Sequence, residues 1–189
     1  MMKIRNVTTC TMISVALSFV IGMPFYSLAA DNSFQLGEAE TLLEKKEYEQ
    51  AVAMLEPMLE EESGNGEKAR VHFLLGRVLY EKAFAFINAN RVDGKVKFKD
   101  IAPSQVTELK SAAGHFLQVV EMDPDGNLVP DAYFMLGKVW DYDCLQKFVK
   151  SKEAYGKAAE MKPDTRMSKD AASCIERLDG YFASHEQSH

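Results

Sequence analysis

Two pairs of similar segments constrain the fold more than any other feature of this sequence. Ala69–Tyr80 and Pro130–Asp141 each carry Leu-Gly, followed three positions later by a bulky apolar residue. Ala112–Pro124 and Ser151–Pro163 carry small, aromatic, small or medium, and proline residues at the same offsets. A chain that repeats a unit of this size forms a stack, because each unit buries its apolar face against the next one.

The spacing of apolar residues predicts helices throughout. From Leu36 onward apolar residues recur at three and four positions, among abundant Ala, Leu, Glu and Lys. Clusters of Gly, Pro, Asn and Asp interrupt this pattern at 63–66, 93–94, 123–127 and 162–165. The sequence therefore predicts an all-α protein whose helices alternate with turns.

The repeated segments resemble the tetratricopeptide repeat family. Its first helix carries a bulky residue, Leu-Gly and an aromatic, and its second carries Ala, an aromatic, Ala and then Pro. The matching residues are Tyr133, Leu136, Gly137, Trp140, Ser151, Tyr155, Ala158 and Pro163 in one repeat, and His72, Leu75, Gly76, Leu79, Ala112, Phe116, Val119 and Pro124 in the other. The resemblance implies a short α-solenoid of about three helix pairs with a C-terminal capping helix. A generic helical bundle is the alternative.

The resemblance is weaker at the two ends and is interrupted in the middle. Tyr48–Met58 fits a second helix, whereas the helix before it lacks Leu-Gly, and Arg166–Ala183 has the pattern of the capping helix. Between Gly76 and Ala112 the chain exceeds the family spacing by about 24 residues, an insertion that we assign to about 86–110. Its basic centre, 91–99, could form a small hairpin around Asp-Gly or connect two extended helices. Either a solvated loop or a partner contact is consistent with it.

The first thirty residues have the pattern of an export signal. Lys3 and Arg5 precede the apolar run Met12–Met23, which is shorter than the ~20 residues that cross a bilayer. Small residues predict cleavage at Ala29 or Ala30, and an uncleaved anchor is the alternative. We therefore predict a signal peptide at 1–29, a repeat domain at 30–183 and a tail at 184–189, in an exported protein that is periplasmic or secreted.

Composition excludes several classes of function. The net charge is −6, and loss of Lys3 and Arg5 with the signal would make it −8, which argues against a nucleic-acid partner and for a monomeric or weakly associating protein. No phosphate-binding loop, nucleophile elbow or haem motif is present. The histidines and cysteines lack the spacing of a metal site, and we expect Cys144 and Cys174 to stay unpaired. We expect no cofactor, no metal and no catalytic residues.

The resemblance implies a groove lined by the first helix of each pair. Helical spacing predicts that the residues facing this groove are Arg70, Phe73, Arg77, Tyr80, Asp131, Phe134, Lys138, Asp141 and Tyr142. Aromatic residues and arginine favour protein recognition, because they provide contact area and forked hydrogen bonds. The alternative is an ordinary hydrated helix face with Phe73 and Phe134 packed against their neighbours.

These features favour a binding protein over an enzyme. The leading hypothesis is a non-enzymatic scaffold or assembly factor of the cell envelope that holds a peptide or a partner helix in the groove. The alternative is a structural subunit of a membrane-associated envelope complex.

Overall fold

The computed structural model describes residues 26–61, 63–90, 101–142, 145 and 147–186. Within these ranges the regular structure consists of seven α-helices and no strand, so the all-α prediction is confirmed. The helices are α1 (Tyr26–Glu44), α2 (Tyr48–Met58), α3 (Asn65–Ala89), α4 (Pro103–Met122), α5 (Val129–Trp140), α6 (Phe148–Met161) and α7 (Arg166–Glu186).

Each helix packs against the next one along the chain, and α3 also contacts both α1 and α5. The α3–α4 pair is antiparallel, because His72 meets His115 while Lys82, further along α3, reaches Glu108 near the start of α4. Lys82 Nζ lies 3.0 Å from that carboxylate and 3.1 Å from Glu49 of α2, so one cation joins three helices.

Helix ends fall close to the predicted turns. Helices α4 and α6 end at the residues before 123–127 and 162–165, and α3 begins inside 63–66. Pro103 and Pro130 lie in the first turns of α4 and α5, where a missing backbone N–H costs nothing.

Most of the predicted insertion is helical in the described residues. Helix α3 has 25 residues and α4 has 20, against 12 and 14 in α5 and α6. The insertion therefore lengthens both helices of its pair, in agreement with the alternative of two extended helices. The proposed hairpin at 91–98 lies outside the described residues.

The tightest packing lies where an aromatic ring of one helix meets a glycine of its partner. A Cβ added at Gly76 would lie 2.8 Å from the ring of Phe116, and one at Gly137 would lie 2.6 Å from the ring of Tyr155. Both rings are buried. At the second site Ser151, also buried, donates a 2.8 Å hydrogen bond from Oγ to the Gly137 carbonyl. Each pair is thus held at a distance that no larger residue permits.

A histidine pair joins α3 and α4 one residue away from the ring contact of Phe73 with Phe116. The Nδ1 atoms of His72 and His115 lie 2.8 Å apart, so one ring donates an N–H hydrogen bond to the other. Burial and the Lys68 charge lower the pKa of His72, and burial followed by the His72 charge lowers the pKa of His115 to about 4. Both rings are therefore neutral in the folded protein at neutral pH, and a charge on His72 would oppose protonation of His115.

Gly137→Ala should lower the free energy of unfolding by about 1–3 kcal/mol, because the added methyl group overlaps the buried ring of Tyr155. The matched control is Gly156→Ala on α6, where an added Cβ meets nothing within 4 Å and the gain in helix propensity should stabilise by up to about 1 kcal/mol. Urea denaturation measures both variants. Equal changes of the unfolding free energy in both variants would contradict the contact between Gly137 and the Tyr155 ring.

Acidification should destabilise the fold through the histidine pair. In the folded protein the pKa values of both histidines lie below the ordinary 6.5. As the pH falls from 6.5 towards 4, the unfolded chain therefore binds more protons than the folded one. The free energy of unfolding that the neutral pair contributes above pH 6.5 is lost over this interval. The melting temperature should therefore fall between pH 7 and pH 5. Most carboxylates titrate below this interval, so they contribute little to the fall.

The comparison variant for this effect is His72→Gln combined with His115→Gln, in which two amides can still hydrogen-bond but cannot titrate. Its melting temperature should change less over the same pH interval. An equal fall in both proteins would exclude the pair as the cause.

Candidate functional site

The residues predicted to face a groove lie on α3, on α5 and just beyond the end of α5. Arg70 is exposed, Tyr80 is buried with 3% of its surface accessible, and the other seven are half-buried. We call these nine residues, together with Arg177 of α7, the odd-helix face.

Contacts between side chains connect the odd-numbered helices across this face. Lys138 Nζ of α5 lies 4.8 Å from the centroid of the Tyr80 ring of α3, a cation–π contact. Tyr80 also meets Tyr142 edge-on and stacks on Phe84, with centroids 6.3 and 5.8 Å apart. On the far side, the guanidinium of Arg177 pairs with the Asp141 carboxylate. A continuous series of contacts therefore runs from α3 through α5 to α7.

The two phenylalanines of this face contact the aromatic rings that pack on the glycines. Phe73 and Phe134 pack edge-on against Phe116 and Tyr155, the rings that fill the glycine contacts, at centroid distances of 5.8 and 5.6 Å. This is the packing against neighbours that the alternative interpretation expected. Both side chains stay half-exposed, so they also form an apolar floor.

Charge on the odd-helix face is unevenly neutralised. Asp131 lies 2.7 Å from Lys162 Nζ, and Asp141 pairs with Arg177. None of the ion pairs formed among the described residues involves Arg70, Arg77 or Lys138. The face therefore presents cations to solvent while each of its carboxylates carries its own counter-charge.

The tyrosines near this face are held neutral. Burial, followed by the proximity of Tyr142, strongly raises the pKa of Tyr80, and burial followed by the Asp141 charge strongly raises that of Tyr155. A hydroxyl that does not ionise serves as a hydrogen-bond donor and acceptor, not as a base. These groups suit recognition and packing.

Sequence reasoning missed Arg177 and Phe84. Helix α7 was predicted to be a capping helix, and none of its residues was predicted to face the groove. Phe84 lies two residues before the segment assigned to the insertion, and the same helical spacing that selected Arg77 and Tyr80 also reaches it.

A concavity lies between α4, α5 and α6. Its volume is about 240 Å³, and its lining residues are Val120, Pro124, Val129, Tyr133, Lys157, Glu160 and Met161. Typical small-molecule sites start at roughly 300 Å³, above the volume of this one. Two of the lining residues contact each other, since Lys157 Nζ lies 4.9 Å from the centroid of the Tyr133 ring.

Metal sites and membrane spans are two further possibilities for the described residues. No group of three or more His, Cys, Asp or Glu side chains is arranged to hold a metal ion within the described ranges. No helix there is both long and apolar enough to cross a membrane. Cys174 is a free thiol, and Cys144 lies outside the described residues.

Comparison of the chain with models of protein families, with curated proteins and with solved structures gives no match.

Proposed function

We propose that this protein is a non-enzymatic scaffold or assembly factor whose seven helices form a tetratricopeptide-like stack, and that the odd-helix face is the groove that holds a protein partner. The observation that carries the proposal is a pair of contacts between helices that are not consecutive. Lys138 of α5 lies over the Tyr80 ring of α3, and Asp141 at the end of α5 pairs with Arg177 of α7. Such contacts align three helices that are not consecutive into one surface, as a helical repeat requires.

The chemistry of this surface favours protein recognition. Half-exposed aromatic rings provide apolar contact area, and cations without a carboxylate partner in the described residues can pair with a ligand. Both carboxylates of the face are engaged in ion pairs, and its buried tyrosine resists ionisation. We therefore propose binding without a chemical step and without a cofactor.

We also propose that the protein is exported. Among the α1 side chains whose burial the structure describes, those of residues 32–44, the buried ones are Asn32, Leu36, Ala39 and Leu43. Removal of 1–29 would leave these contacts with the rest of the core in place.

Export should be accompanied by cleavage. The mature protein should begin at Ala30 or Asp31 and occur in the periplasmic or secreted fraction, because the apolar run is too short to remain as an anchor. Intact mass spectrometry of the native protein measures the start of the chain. A mass that includes residues 1–29 would support the anchor alternative.

Charge reversal should show whether the odd-helix face or another surface binds the partner. Arg77→Glu combined with Lys138→Glu should reduce partner capture at least tenfold, about 1.4 kcal/mol, because two cations on adjacent helices become anions at the same place. Crosslinking in intact cells, followed by identification of the captured proteins, provides the measurement. Circular dichroism should show unchanged helix content, since neither half-buried cation is in an ion pair of the described residues and only the Lys138 contact with Tyr80 is lost.

The matched control is Lys110→Glu with Lys169→Glu, two exposed cations on α4 and α7 outside the odd-helix face. It changes the total charge by the same amount and should leave capture intact. A third variant, Lys95→Glu with Lys97→Glu, changes the basic centre of the insertion, outside the described residues. Loss of capture in this variant alone would move the binding site to the insertion.

One observation favours the alternative of a structural subunit. At the end of the stack Val149 and Tyr181 are 65% and 41% exposed, and the rings of Phe148, Tyr181 and Phe182 touch one another. An exposed apolar cluster of this kind is typical of an interface. Size-exclusion chromatography of a native extract tests it: a scaffold should elute partly free, and a permanent subunit almost wholly in a large assembly.

A further inference from the structure

We infer that Arg177 of α7 is a positioning residue that covers the Asp141 carboxylate, and that the odd-helix face thereby selects an acidic protein segment. This inference rests on the proposed function of that face and names the chemistry of its partner. It adds a role for the last helix, which otherwise serves to cover the end of the core.

Arg177 is placed to act on Asp141 without occupying the face itself. Asp141 has 16% of its side chain exposed, whereas Arg177 has 57% exposed and approaches from α7. The thiol of Cys174 and the hydroxyl of Tyr155 lie at the same junction, since both influence this cluster. The carboxylate is thus held at the α5–α7 boundary by a cation that the proposed ligand does not need to displace.

Without this ion pair, Asp141 would compete for Lys138. Residues three apart on a helix are neighbours on its surface, so a carboxylate at 141 lies within reach of the ammonium at 138. With Arg177 in place, Lys138 instead rests over the ring of Tyr80, 4.8 Å from its centroid. Arg177 therefore leaves the Lys138 charge available to a ligand.

Cations outnumber carboxylates on the odd-helix face, although the charges of Glu81 and Asp141 also act on Tyr80. Arg70, Arg77 and Lys138 form no ion pair with an acid in the part of the chain that the structure describes, while Lys162 and Arg177 neutralise the two carboxylates. This cationic strip stands out in a chain with a net charge of −6. Charge complementarity across an interface speeds association and excludes partners of the wrong sign. Carboxylates on the partner, set between apolar residues that meet Phe73 and Phe134, fit this surface.

Two labelled peptides of equal length serve as probes, one alternating Glu with Leu and the other alternating Lys with Leu. Fluorescence anisotropy measures their affinity for the full mature chain at two salt concentrations. The wild-type protein should bind the Glu peptide at least tenfold more tightly than the Lys peptide, and salt should weaken that binding.

Arg177→Gln should reduce affinity for the Glu peptide roughly 3–10-fold, because Asp141, close to Lys138 on the helix, loses its ion pair with Arg177. Adding Asp141→Asn to Arg177→Gln should restore affinity to within about twofold of wild type, since the neutral amide no longer opposes the ligand. The control is Lys152→Gln, which removes the ion pair with Asp179 that joins α6 to α7 and should leave peptide affinity unchanged.

Each outcome supports or contradicts the positioning role of Arg177 or the selection for an acidic segment. If the double variant is as weak as Arg177→Gln, Arg177 contacts the ligand itself, and the positioning role is wrong. If Lys152→Gln also weakens binding, loss of α7 docking explains the effect instead. If the wild type binds neither peptide, or both equally, selection for an acidic segment is wrong, whereas the proposed function is still decided separately by capture with Arg77→Glu and Lys138→Glu.

Discussion

The contact between a glycine and an aromatic ring is the constraint on which the rest of the fold depends. At Gly76 and Gly137 the partner ring lies closer than any side chain would allow, so the helices of each pair meet in one rotational setting. That setting decides which residues of α3 and α5 turn inward and which remain on the odd-helix face. The same rings, Phe116 and Tyr155, also pack edge-on against Phe73 and Phe134 of the odd-helix face. A local steric limit thus propagates from the pair to the proposed binding surface.

Features that depend on local spacing could be predicted from the sequence. The glycine and aromatic positions, the helical content and the ends of α4 and α6 all follow from motifs a few residues long, and the structure agrees with them. The course of the insertion stayed open, because a short Asp-Gly element is compatible with a hairpin or with a connection between helices. The structure shows helix on both sides of it, and these extensions make α3 and α4 longer than α5 and α6.

Features that depend on distant residues could not be predicted. Helical spacing identified the face that carries Tyr80, Lys138 and Asp141, but not that Tyr80 is buried beneath a cation from the next pair. The partners of Asp131 and Asp141 lie 31 and 36 residues further along the chain, in segments with no shared motif. The histidine pair, 43 residues apart, was missed for the same reason. Neither histidine was predicted to have a partner, and only the packing of α3 on α4 brings the two rings together.

The ion pair between Asp141 and Arg177 also makes the charge of the surface depend on a helix that is synthesised after the rest of it. Helix α7 follows α3, α4 and α5 in the chain, so a nascent or truncated polypeptide that ends before α7 lacks the Arg177 partner of Asp141. Such a product would carry Phe73 and Phe134 but a more mixed electrostatic field at the proposed binding surface. Synthesis of α7 would then act as a maturation step for the proposed selectivity.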